Sequence, residues 1–298
     1  MPNKDSYLIV GDRPLGFRIA VIWQQIKNFS RTLRFYWKSL SPPQRTKLGF
    51  YFCGNRKMLD GRYEPDETRF LESALPSVDQ FINIGANTGY YCCLALSKDK
   101  PVLAFEPNDL NVKHLLANVC LNGWEDKIEV FPLALSDRPG VAELFGAGSG
   151  ASFIRGWANN PDRHVSLAPV SSVDRILTDS QLSKRSLVLM DVEGAEAIVL
   201  SGADRLINAE PKPLWLIEVS ILSHRPGGSE VNPRLKEVFQ RFWTSGYDAW
   251  FVEDPRRKVT PEQIDDILSS GKVSFKGNNF IFAECGLCAD NCWSASAD

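Results

Sequence analysis

No stretch of this sequence runs for 18 apolar residues, and its opening residues lack a basic region followed by a sustained apolar core. A membrane-spanning helix and a cleaved secretory signal are therefore not expected. Neither phosphate-binding fingerprint is present: there is no G-x-G-x-x-G after a strand and no G-x-x-x-x-G-K-[ST] anywhere. The first absence argues against a dinucleotide site, the second against a P-loop. Seven cysteines, an odd number, lie scattered at Cys53, Cys92, Cys93, Cys120, Cys285, Cys288 and Cys292. That usage suits a reducing, cytoplasmic setting rather than a disulfide framework. A formal net charge of -2 gives no overall attraction to nucleic acid. No internal repeat or low-complexity tract occurs.

What charge there is, is unevenly spread. Residues 1–60 carry 11 Lys or Arg against 3 Asp, which leaves 23 basic and 33 acidic residues in the remainder. Any affinity for an anionic surface therefore belongs to the front of the chain. There, Ile19, Ile22, Ile26, Phe29, Leu33 and Tyr36 recur at steps of three and four, with Lys27, Arg31, Arg34 and Lys38 out of phase. At about 100° per residue this is an amphipathic helix with opposed apolar and basic stripes. It ends at Ser41-Pro42-Pro43, since proline cannot continue a helix. Two readings stand for it: packing on the rest of the protein or a second subunit, and peripheral membrane contact through residues 17–40.

After a turn-rich stretch the pattern changes to short apolar runs alternating with amphipathic ones. Strands are expected over 81–84, 102–105, 128–133, 187–191, 214–219, 249–252 and 280–283, and helices over 88–97, 109–122, 195–208 and 233–244. A short strand at 141–145 stands apart from this series. The alternation predicts an α/β fold, a mostly parallel sheet with helices on both faces. Residues 1–60 form an N-terminal helical extension, 61–284 the α/β domain, and 285–298 a tail with Cys285, Cys288 and Cys292. Three thiolates fall short of the four ligands that zinc or an iron–sulfur cluster ordinarily takes, so no metal site is assigned to the tail.

In an open parallel sheet a ligand binds beyond the carboxyl ends of the strands, and the turn after the first strand is the usual place for a nucleotide. Here that turn lies within FINIGANTGYY, Phe81 to Tyr91. Gly85 allows a tight turn, Gly89 lets the next helix start close to the strand, and its free N–H groups can face an anionic group. Asn87 stands where a dinucleotide site needs its middle glycine, and its side chain can fold back over the loop. The loop therefore suits a nucleoside without a pyrophosphate, for which S-adenosylmethionine is the candidate. Glu106, 17 residues after Gly89 at the end of VLAFEP, can accept hydrogen bonds from both ribose hydroxyls.

A second cluster, LVLMDVEGAE, brings Asp191 and Glu193 to a strand end and Glu196 to the first turn of a helix. Asp191 and Glu193 would point the same way if the strand continued that far. These carboxylates suit a cationic ligand or a metal; helix capping is the bland alternative.

The ordered series FINIGANTGYY, FEPN with Asn118 and Asn122 after it, LALSDRPG, MDVEGAE with SGA after it, and LWLIEVS resembles the FkbM family of S-adenosylmethionine-dependent methyltransferases over about residues 70–252. The resemblance implies a class I methyltransferase, Rossmann-like fold with a seven-stranded sheet, and methyl transfer to a hydroxyl of a sugar, glycolipid or natural product. It implies that Asn83, Gly85, Ala86, Asn87 and Gly89 border the methionine part of the cofactor, Glu106 its ribose, and Asp191 with Glu193 the acceptor. Two positions depart from the family pattern: Asn83 stands where Asp is usual, and Leu189 where Lys is usual. Asn83 keeps hydrogen-bonding capacity but lacks a charge that could face the cofactor's ammonium.

Hydroxyl methylation needs alignment and a base. Asp191 ranks first as base or acceptor anchor and His224 second, with Glu193 and Glu218 beside them; a divalent metal held by these carboxylates is a further option that the sequence does not require. His114 falls inside a helix pattern and reads as structural; His164 lies in a loop. Rival readings are a nucleotide-dependent oxidoreductase, which the missing glycine opposes, and a degenerate Rossmann-like module that docks on a membrane or partner.

Overall fold

A computed structural model describes residues 42–146, 150–157, 165–222, 231–273, 275 and 277–286. The chain divides into two compact units, Met1–Pro43 and Gln44–Asp298. The basic helix expected at 17–40, His164, His224, Cys288 and Cys292 lie outside the described residues. Among those described, no helix is long and apolar enough to cross a membrane.

The strands in chain order are β1 (Gln44–Arg45), β2 (Tyr51–Phe52), β3 (Gln80–Ile84), β4 (Val102–Phe105), β5 (Ile128–Phe131), β6 (Ala134–Leu135), β7 (Gly140–Phe145), β8 (Val165–Ser171), β9 (Ser186–Met190), β10 (Leu214–Glu218), β11 (Tyr247–Phe251), β12 (Lys258–Val259) and β13 (Asn279–Glu284). The main sheet has the order β12-β11-β13-β10-β9-β3-β4-β5. β5, β4, β3, β9 and β10 run parallel, and β13 is antiparallel to both β10 and β11. The seven expected strands are all present; β12, two residues long, adds an eighth at the edge. Strand order reverses at β3, which lies between β4 and β9, so a crevice opens at the carboxyl ends there.

Each central strand is buried on both faces, and its side chains alternate between two cores. Ile82, Ile84, Leu103, Phe105, Val188, Met190, Trp215 and Ile217 pack in one. Phe81, Ala104, Leu187, Leu189 and Leu216 pack in the other, with Cys92 and Cys93 of the helix after β3. Asn83 shares the parity of Phe81 and so enters this second core.

Four helices position the site: α1 (Arg56–Leu59), α2 (Pro65–Ala74), α3 (Tyr90–Ser97) and α4 (Asp109–Cys120). The α/β unit begins earlier than residue 61. Phe50, Phe52 and Met58 are buried in the second core, because β1 and β2 form a hairpin that two asparagines of the α4 region pin down. Asn118 accepts from Cys53 N at 2.8 Å and donates to Thr88 O at 3.0 Å. Asn122 accepts from Tyr51 N and donates to Tyr51 O, both at 2.8 Å.

Two sequence expectations change. The single helix over 195–208 is two, Glu196–Leu200 and Asp204–Ile207. The break falls at Gly202, where an added Cβ would stand 2.2 Å from Ser136 O. The weakly patterned stretch between β5 and β9 holds a separate three-stranded sheet, β6-β8-β7. Its exposed Val141 and Leu167 break the inward-apolar alternation from which a strand is read.

Asn118→Ala should lower unfolding free energy by about 1–3 kcal/mol, because the half-buried Cys53 N–H and Thr88 carbonyl lose their partner. Urea denaturation with an unchanged m-value checks it.

Candidate functional site

The turn after β3 is a pair of close backbone contacts that only glycine allows. Gly85 has φ 87°, and a Cβ there would lie 1.8 Å from Asp191 O. Asp191 N donates to Ile84 O at 3.0 Å, while Gly85 N and Ala86 N both donate to Phe105 O at 2.9 Å. The loop is thus tied to the strands on either side. Gly89, at φ 85°, caps α3, and a Cβ there would meet Leu115 Cγ at 2.9 Å. Its smallness admits α4.

Glu106 organises the loop. It is 5% exposed; Oε2 accepts from Asn87 N at 2.8 Å, and Oε1 from Asn108 N at 2.9 Å and Asn111 Nδ2 at 3.1 Å. Asn87 is held at φ 49°, a left-handed conformation that asparagine tolerates. Burial raises the Glu106 carboxyl's pKa, and these three donors oppose the shift.

The second cluster folds differently from the expected straight strand. β9 ends at Met190, and Glu193 turns into the left-handed region at φ 53°. Alternation therefore no longer aligns Glu193 with Asp191. Instead the Glu193 carboxylate accepts from Trp157 Nε1 at 2.7 Å, and its carbonyl accepts from Ser152 Oγ at 2.6 Å. Trp157 is 1% exposed and lies where a Cβ on Gly194 would stand, 2.5 Å away. Residues 150–157 are thus strapped onto the MDVEGAE turn. Glu196 caps that turn through Gly194 N at 2.8 Å.

Two clefts flank the loop, and both are lined by Gly85, Asn87 and Asp191. The first has Glu106, Asp191 and Glu193 as its polar wall and Phe105, Leu133, Leu135 and Phe153 as apolar ones. The second is lined by Asn83, Asp191, Glu218, Glu64, Glu67 and three tyrosines, and by no Lys, Arg or His among the described residues. Glu64 precedes α2 at φ 40° without capping it and accepts from Tyr91 OH at 2.7 Å; Glu67 accepts from Asn279 Nδ2 at 2.7 Å.

Crowding of acids shifts their protonation. Burial first, then Glu218, Glu193, Glu64 and Glu196, hold the Asp191 carboxyl well above the usual range. Burial, followed by Glu193, Glu64, Glu196 and Glu67, pushes Glu218 up to about 8. Burial raises Glu196 to about 7 against the Gly194 hydrogen bond. Among the described residues no group of three or more His, Cys, Asp or Glu has an arrangement fit to hold a metal ion.

The model of the FkbM methyltransferase domain matches residues 83–248, which is more than half of the chain, and the protein belongs to that family. Similar solved structures include the FkbM methyltransferase of Methylobacillus flagellatus KT, 19% identical with a TM-score of 0.42 over 69% of this chain and 43% of that one. A precorrin-6y C5,15-methyltransferase from Geobacter metallireducens GS-15 is 11% identical, with a TM-score of 0.39 over 78% of this chain and 91% of that one. An S-adenosylmethionine-dependent O-methyltransferase from Thermotoga maritima is 11% identical, with a TM-score of 0.38 over 81% and 76%. The chain spans less than half of the length of the first of these. No curated protein matches the sequence.

Of the residues singled out in the sequence, Gly85, Asn87, Glu106, Asp191 and Glu193 meet at the first cleft, and Asn83, Gly85, Ala86, Asn87, Asp191 and Glu218 at the second. Gly89 stands behind the loop. Sequence reasoning missed Tyr63, Glu64 and Glu67, which precede the motifs, Tyr91, the last residue of FINIGANTGYY, and Trp157, which lies outside them. The two departures from the family pattern fall together: Asn83 and Leu189 are register partners on β3 and β9. Asn83 is 2% exposed, its Nδ2 3.4 Å from Cys92 Sγ and its Oδ1 buried without a partner.

Asn83→Asp alone would bury an uncompensated carboxylate and should cost about 3–5 kcal/mol. Adding Leu189→Lys should recover on the order of 1 kcal/mol or more of that loss, read as a double-mutant coupling energy in urea denaturation. Additive effects would show the positions to be independent. A second prediction follows from the acids. Carboxyls raised in the folded state hold protons that the unfolded chain releases, so stability should fall as pH rises from about 5 to about 8.5. Thermal unfolding across that range checks it, and Glu218→Gln should flatten the profile.

Proposed function

We propose that the protein is an S-adenosylmethionine-dependent methyltransferase acting on a hydroxyl of a small-molecule or glycan acceptor. The observation that carries this reading is the braced Gly85–Asn87 loop with a cleft on each side and Asp191 in the wall of both. Membership of the FkbM family supports it.

The residues present fit the cofactor. Glu106 faces the first cleft between apolar walls, the setting for a ribose carrying a purine. When bound, the cofactor supplies an electrophilic methyl group on a positively charged sulfur. The chain's own work is to hold Asn87 N and the ribose side through Glu106, to close the first cleft with Ser152 and Phe153, and to align the acceptor for in-line displacement.

Asp191 serves as the base. With the cofactor bound, the Asp191 carboxylate would accept the proton of the acceptor hydroxyl as its oxygen is methylated. A pKa raised toward the working pH suits a general base. Glu193 is turned toward Trp157 and acts as a positioning residue for this turn; His224 stays a proposal from the sequence.

S-adenosylhomocysteine at about 100 times its Kd should stabilise the protein by about 2.7 kcal/mol, whereas NAD should not. Absence of any shift with S-adenosylmethionine and S-adenosylhomocysteine in calorimetric titration and thermal unfolding would reject the reading. Asp191→Asn should lower kcat by roughly 10²–10⁴ while retaining cofactor binding.

A further inference from the structure

The second cleft gathers more carboxyl groups than the proposed cofactor's one net positive charge can meet. Glu64, Glu67, Asp191 and Glu218 line it, with no basic side chain among the described residues. A methionyl end brings one carboxylate and one ammonium, which cancel, and the sulfonium adds a single positive charge. The surplus acids also lie beyond the loop: Glu218 is the register partner of Asn279, whose amide is bonded to Glu67. β10, β13 and α2 thus build one continuous acidic wall.

Three features turn that wall into a site for an organic cation. Asn83, 2% exposed, lines the cleft, and its buried Oδ1 has no hydrogen-bond partner among the described residues. Tyr63, Tyr90 and Tyr91 form an aromatic flank, with centroids 5.3 Å apart for Tyr63–Tyr90 and Tyr90–Tyr91 and 6.1 Å for Tyr63–Tyr91. Aromatic faces beside carboxylates attract alkylammonium groups. Among the described residues these carboxylates form no group fit to hold a metal ion. Glu64 is kept in a strained left-handed conformation at the entrance to α2 while leaving that helix uncapped. Strain of this kind persists where the side chain is needed elsewhere.

Resting on the methyltransferase reading, we infer that the second cleft is the acceptor's recognition site and that the acceptor bears a protonated primary amine in addition to the hydroxyl that is methylated. The ammonium sits among Glu64, Glu67, Glu218 and the tyrosine faces, and the hydroxyl is thereby directed to Asp191.

The test uses the full chain saturated with S-adenosylhomocysteine. Ethanolamine, glucosamine and spermidine are titrated beside ethylene glycol, glucose and N-acetylglucosamine, with binding read by saturation-transfer NMR and calorimetry. At least one amine should bind tenfold or more tightly than the neutral compounds. Glu64→Gln and Glu67→Gln, made separately, keep their acceptor oxygens for Tyr91 and Asn279; each should weaken amine binding about tenfold and leave S-adenosylhomocysteine affinity within twofold. Equal binding of amines and neutral compounds, or amine binding that ignores both substitutions, would overturn the inference. So would an equal loss of S-adenosylhomocysteine affinity, which would give these carboxylates to the cofactor's own ammonium. Failure of S-adenosylhomocysteine to bind the unaltered protein would instead sink the methyltransferase reading.

Discussion

The Glu106 carboxylate is the constraint on which the site depends. One buried group accepts from the loop after β3 through Asn87 N, and from the start of α4 through Asn108 N and Asn111 Nδ2. Three charge-assisted hydrogen bonds offset the cost of burying it. Because they come from two different strand ends, they fix the spacing of β3 and β4 at the point where the sheet reverses. Gly85 completes the arrangement on the other side, where its lack of a Cβ lets the loop lie against the Asp191 carbonyl. The two clefts exist because this loop is held as a ridge between them.

The clefts differ in their walls. The first sets Glu106, Asp191 and Glu193 against apolar side chains, with Glu106 and Glu193 already hydrogen-bonded; the second gathers Glu64, Glu67, Asp191 and Glu218, with no basic side chain among the described residues. Burial, and then mutual repulsion, raises Asp191 and Glu218, so folding holds protons in this region. Asn83 and Leu189, the two positions that depart from the family pattern, are register partners on the adjoining strands.

Local patterning exposed most of the fold because the central strands are short apolar runs set between amphipathic helices. It misread residues 195–208 as one helix because the obstacle at Gly202 is the Ser136 carbonyl, 66 residues away. It misaligned Glu193 because alternation assumes a continuing strand, whereas Trp157 and Ser152 hold that residue in a turn. Glu64 and Glu67 carried no motif, and nothing near them in the chain marks them as neighbours of Asp191.

What the sequence determined by itself was the strand–turn–helix series, the glycine turn without room for a pyrophosphate, and the acids at strand ends, since each depends on residues within one or two turns of chain. Tertiary structure decided which of those acids share a cleft, which glycine lies against the Asp191 carbonyl and which against a helix, and that Asn83 Oδ1 has no donor among the described residues. Those outcomes depend on register and packing between segments far apart in sequence, where burial and repulsion, rather than local propensity, set the energy.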